Sequence, residues 1–120
     1  MRIAISAQDQ NLDKEVDQRF GRTPYFLVVD TDSLAFEVVE NKQVFDLPQG
    51  AGIQAAQNIL PHKPVAVLTG NCGPKAFKVL ETAGIEVVTG VKGEIREAIR
   101  AYVDGAYQKA EGANVEGHWV

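Results

Sequence analysis

The sequence predicts an α/β fold: a five-stranded mixed sheet in the order 3-2-1-4-5, with strand 2 antiparallel, flanked by three helices. Three observations predict it. Residues 2–7, 25–30, 34–40, 65–69 and 85–89 form five short runs rich in β-branched and aliphatic side chains, the composition of buried strands. The turn cluster Asp30-Thr31-Asp32-Ser33 joins the second and third runs into a hairpin. From residue 51 onward helical periodicity alternates with strands, the pattern that makes neighbouring strands parallel. The first strand then lies centrally, with the hairpin on one side and strands 4 and 5 on the other.

Each element has its own signal. The first run, Arg2 to Ala7, is isoleucine-rich and weakly alternating, so it reads as a buried strand. Residues 8–19 are polar, with Asp9, Asp13, Lys14, Glu15 and Asp17. That is long for a connection, and such loops are often functional. The acids match no calcium loop, because the glycine of its tight turn is missing, and a solvated loop accounts for them. Residues 41–48 are a connection. Gly50-Ala51-Gly52 opens a helix to about Leu60, with Ile53, Ala56, Ile59 and Leu60 on one face and Pro61 as its stop. A second helix runs over 76–83 and closes at Gly84. The third starts near Lys92, turns Ile95, Ala98, Ile99, Tyr102 and Val103 inward, and ends by Gly105.

Length and composition bound the function. A chain of 120 residues with 45% apolar content supports one core, expected over residues 1–107, followed by a flexible tail, 108–120. The N-terminus is too short and too patterned for a signal peptide, and no window has the apolar length of a membrane span. One cysteine fits a reducing cytoplasm and cannot alone build a Cys-rich metal site. A net charge of −4 argues against broad nucleic-acid binding. The tail's His118-Trp119 pair either folds over a site or stays an exposed end.

The chemistry concentrates in Gly70-Asn71-Cys72-Gly73-Pro74-Lys75. Here a strand feeds a glycine turn, and proline stands where a helix begins. Backbone N–H groups at the positive end of a helix make an anion site, and Lys75 adds charge. Arg19-Phe20-Gly21-Arg22 puts two guanidinium groups, suited to planar or multiply charged anions, at a strand entrance; pairing with nearby acids is the alternative. Gly50 and Gly52 suit a close backbone approach to a ligand or to the sheet. Sheets of this order bind ligands at the carboxyl ends of strands beside the switch point. The loop after Ala7, the Gly70–Lys75 turn and the loop after Thr89 therefore converge, whereas His62 and Lys63 belong at the opposite edge.

These motifs, Arg19-Phe20-Gly21-Arg22-x-Pro24-Tyr25-Phe26, Gly50-Ala51-Gly52 and Gly70-Asn71-Cys72-Gly73-Pro74-x-Ala76, occur in one order in a known family. The chain resembles the dinitrogenase iron–molybdenum cofactor biosynthesis family of NifX-like carriers and NifB C-terminal domains, from Met1 to about Tyr107. Its length and Gly-His-Trp ending look like the orange-protein branch of sulfate-reducing bacteria. The resemblance implies a ribonuclease-H-like fold and a non-catalytic carrier of an anionic cluster. That cluster is a molybdenum–copper sulfide or an iron–molybdenum cofactor precursor, held without covalent attachment, and nucleotide-hydrolysing proteins are implied as partners. A sulfide-rich polyanion needs positive charge, N–H donors and an apolar wall. Arg19, Arg22, Lys75 and Lys92 supply charge, the Gly70–Gly73 turn supplies donors, and Phe20 supplies wall. Cys72 is either a thiolate ligand favoured at a helix start or a small buried apolar side chain.

Two enzyme readings fail on residues. Two-metal nuclease chemistry needs carboxylates on the central strands, and neither residues 1–7 nor the fourth strand carries one. A cysteine phosphate loop wants arginine six residues after the nucleophile, where Lys78 stands. A module that binds a small anion or a regulatory protein partner through the same loops remains the alternative to the carrier.

Overall fold

The computed structural model describes residues 1–43 and 50–115. Most of the 41–48 connection and the His118-Trp119 ending lie outside the described residues. The elements are β1 (Arg2–Ala7), β2 (Tyr25–Asp30), β3 (Phe36–Glu40), α1 (Ala51–Ile59), β4 (Ala66–Leu68), α2 (Pro74–Thr82), β5 (Glu86–Val88) and α3 (Ile95–Val103). They form one sheet, β3-β2-β1-β4-β5. The β1–β2 and β2–β3 pairs are antiparallel, and β1–β4 and β4–β5 are parallel. The expected α/β architecture is the observed one.

Strand alternation divides the core into two layers. Ile3, Ile5, Leu27, Val29, Leu68 and Val88 face α3, where Ile95, Ala98 and Ile99 meet them. Ala4, Phe26, Val28, Val67 and Val87 face the other way, toward Ala55, Ala56 and Ile59 of α1 and Ala76, Phe77 and Leu80 of α2. In register, Ile5 lies opposite Leu27 on one side and Leu68 on the other, so the first strand sits at the sheet's centre.

Boundaries differ from expectation for local reasons. Leu34 has φ +63°, a turn conformation, and β3 starts two residues later than the apolar run. Pro74 occupies the first turn of α2, where its missing N–H is harmless. Gly84 and Gly105 take φ +78° and +84° just after α2 and α3, the left-handed step that ends a helix. Pro61 falls inside a single 3-10 turn, Leu60–His62, that follows α1. Val103, expected to face inward, is 52% exposed, because it sits at the last position of α3.

The polar loop 8–19 is a structural part of the domain. Leu12 and Val16 are buried with the α3 layer. Val16 bridges Ala7, and Glu15 bridges Glu94. The Ile95 and Arg96 N–H groups donate to the carbonyls of Lys14 and Leu12 at 2.9 Å each. Those are first-turn donors with no intrahelical acceptor, so this loop closes the N-terminus of α3. Among the described residues, no helix is long and apolar enough to cross a membrane.

Candidate functional site

Three loops meet at the carboxyl ends of β1, β4 and β5, and backbone bonds lock them together. Asp17 N–H donates to the Ser6 carbonyl at 2.9 Å, and Phe20 N–H donates to Asn71 O at 3.1 Å. Gly90 N–H reaches Gly70 O at 2.9 Å, and Val91 N–H reaches Thr69 O at 3.1 Å. Side chains tighten the junction. The buried Ser6 and Thr69 hydroxyls hydrogen bond at 2.8 Å, Asn71 Nδ2 donates to Gln18 O at 3.0 Å, and Gln18 Nε2 donates to Val91 O at 3.1 Å. The convergence expected from strand order is therefore a continuous hydrogen-bonded platform.

The arginine segment is fixed on this platform by its backbone. Asp17 Oδ1 accepts the Arg19 N–H at 2.9 Å and lies 3.7 Å from Arg19 Nε. Asn41 Nδ2 donates to the carbonyls of Gly21 and Thr23 at 3.1 and 2.8 Å, and Gln43 Nε2 donates to Gly21 O. Gly21 is buried in that clasp. The Arg19 side chain is about half exposed (52%), and Arg22 is exposed. Lys75 and Lys92 are also exposed and enter none of the ion pairs among the described residues. A fixed backbone leaves only the side chains of these exposed cations to be ordered when an anion binds.

Gly73 is the N-cap of α2 and makes no side-chain capping bond, and Phe77 N–H donates to its carbonyl at 3.0 Å. The Lys75 and Ala76 N–H groups, in the first turn, have no intrahelical acceptor. The Cys72 N–H is taken by Asn114 Oδ1 at 2.7 Å. A groove of about 530 Å³ starts at Ile53 and Lys75 and runs between α1 and α2 past Lys78 and Val79 to Leu60, Thr82 and Ala83. Among the described residues its charged lining is Lys75 and Lys78.

Two aromatic and thiol expectations change. Phe20 has no exposed surface; its ring packs in the α1–α2 layer, tilted 53° against Phe26 at 5.2 Å. It is core. Cys72 is likewise fully buried in that layer, its Sγ 3.7 Å from the Gly73 carbonyl. Burial pushes the thiol up to about 12 from an ordinary 9.0, so the small-apolar alternative describes this geometry and the thiolate does not. The folded protein keeps this proton to about pH 12, whereas the unfolded chain loses it near 9. The thiol's contribution to stability is whole below pH 9 and fades as pH rises above it. At pH 8 an aromatic disulfide reagent should react with the folded protein at least ~30-fold more slowly than with the guanidinium-unfolded chain. The lower thiolate fraction outweighs the higher nucleophilicity of a more basic thiol. Equal rates would place Cys72 at the surface.

The glycines divide. At Gly70 an added Cβ would lie 2.3 Å from Gln18 Oε1 and 2.8 Å from Gln18 Cα, so its bareness admits the neighbouring loop. Gly50 has nothing within 4 Å of an added Cβ and an ordinary φ of −72°, so no close approach requires it there. Gly52 is buried in the first turn of α1. His62, paired with Glu37, accepts Arg2 Nη1 on its carbonyl and lies at the opposite edge, as expected. Gln18 and Asn114 were not singled out by sequence; Gln18 adjoins the Arg19 motif, and nothing local marks Asn114. Among the described residues, no three His, Cys, Asp or Glu side chains gather where they could share a metal ion.

Comparison with known proteins identifies the family and the fold. Residues 1–105 match the family described as dinitrogenase iron-molybdenum cofactor. The fold superposes on the apo form of the orange protein from Desulfovibrio gigas with TM-score 0.89 and 43% identity, over 95% of this chain and 96% of that one. A Thermotoga protein solved as a NifB candidate gives TM-score 0.80 and 32% identity, over 97% and 98% of the two chains. An uncharacterised protein of Methanocaldococcus jannaschii is 28% identical over 114 residues, 92% of each chain.

Proposed function

The chain belongs to the dinitrogenase iron-molybdenum cofactor family, and from that premise we propose that it is a non-catalytic, cytoplasmic carrier of an anionic molybdenum-containing metal–sulfur cluster. The cargo is a molybdenum–copper sulfide or an iron–molybdenum cofactor precursor. The observation that carries this reading is the hydrogen-bonded platform, on or next to whose loops Arg19, Arg22, Lys75 and Lys92 are each exposed. With no gathered ligand set among the described residues, the cluster is held by charge and hydrogen bonds to its sulfides, and Cys72 stays in the core. Lys75 connects the open helix start to the apolar groove, which suits a large, weakly hydrated anion better than a small phosphate. A partner protein that hands over or receives the cluster meets the same face. The negative net charge leaves nucleic acid an unsuitable partner.

The test is a visible absorption titration of the purified protein with tetrathiomolybdate and copper. Charge-transfer bands should stay with the protein through gel filtration. Arg19→Ala and Lys75→Ala should each weaken binding by about tenfold, the scale of one hydrogen bond to a charged group, and added salt should weaken it further. A folded protein that retains no chromophore overturns the carrier and leaves the small-anion or protein-interaction module.

A further inference from the structure

The segment after α3 returns across the sheet edge to the platform. Ala110 N–H donates to the Val87 carbonyl at 2.7 Å, and four residues later Asn114 closes on the turn with four hydrogen bonds. Its Oδ1 accepts the Cys72 N–H at 2.7 Å. Its Nδ2 donates to Gly70 O at 3.2 Å and to Asn71 Oδ1 at 3.1 Å. Its own N–H donates to Cys72 O at 3.2 Å. Between these anchors Glu111, Gly112 and Ala113 are exposed and make no hydrogen bond among the described residues.

We infer that Asn114 is an internal occupant of the cargo turn, an affinity-setting residue that the anionic cargo displaces on binding. This inference rests on the carrier reading of the turn. The carboxamide oxygen is an acceptor seated on a donor of the turn just before α2, where a sulfide of the cluster would sit. A neutral amide gains less there than an anion does, because it draws nothing further from Lys75, Arg19 or the helix dipole. The amide therefore holds the turn when cargo is absent and yields when cargo is present. Release is local: Asn114 is exposed, and the three residues before it hold nothing. Seating Asn114 lowers apparent affinity by the fraction of molecules in which the turn is closed.

Nitrogen-15 NMR and absorption titration with tetrathiomolybdate plus copper test this on the full chain. In the wild type, loading should shift the Cys72 amide and move the Asn114 side-chain NH2 pair to the positions of an unbonded amide. Asn114→Ala should bind the probe about three- to tenfold more tightly. Asn114→Asp, which seats a charge on the same donor, should bind it more weakly than wild type. Equal or weaker binding by Asn114→Ala, or an unmoved NH2 pair in the loaded wild type, overturns the occupant role and leaves the carrier reading intact. Absence of binding by both proteins, each folded by circular dichroism, overturns the carrier reading and this inference together.

Discussion

Phe20→Ala should lower the stability of the domain by about 3–5 kcal/mol, the usual cost of emptying a buried aromatic site. For a domain of this size the melting temperature should fall by roughly 10–20 °C. The ring has no exposed surface, it meets Phe26 at 5.2 Å, and its backbone N–H is bonded to the Asn71 carbonyl. Truncation leaves a cavity beneath the arginine segment, and Phe20→Leu should recover most of the loss. Thermal and denaturant melts decide the matter. A variant that melts like the wild type yet fails to hold the cluster would return Phe20 to the wall of the site.

Gly70→Ala should destabilise by about 1–3 kcal/mol, the range for forcing a methyl group into close-packed surroundings. The new Cβ meets the side chain of Gln18 and also its Cα at 2.8 Å. A side chain can swing aside and a backbone cannot, so adding Gln18→Ala should recover only part of the loss in a double-mutant cycle. Displacing residues 18–20 also strains the Phe20–Asn71 bond and moves Arg19, so cluster affinity should fall with stability. If the glycine served ligand approach alone, binding would fall and the melting temperature would hold.

The sheet was legible because its signals are local. Five aliphatic runs, one turn cluster and helical periodicity after residue 50 suffice to order the strands, since parallel neighbours need crossovers and the hairpin does not. The meeting of the three loops then follows from topology alone. Residue roles were less legible. An aromatic between two arginines, or a cysteine at a helix start, reads the same whether it faces ligand or core. Only the packing layer that takes Phe20 and Cys72 decides. Leu12 and Val16 stood isolated among charges, and the backbone groups that bond theirs, on Arg96 and Gly93, lie some eighty residues away. Asn114 bonds a turn 42 residues earlier, a contact with no trace in the composition of its neighbours.

The centrality of β1 has a consequence for how the protein is made. β1 pairs with β2 on one side within thirty residues, and the hairpin can follow. Its other edge, Ile3–Ile5, waits for Ala66–Leu68, a delay of a few seconds at roughly 5–20 residues per second. The bonds that tie Gln18 and Thr69 to Val91 wait until that stretch has been translated, and Asn114 follows. The three-loop platform is therefore among the last parts of the domain to form.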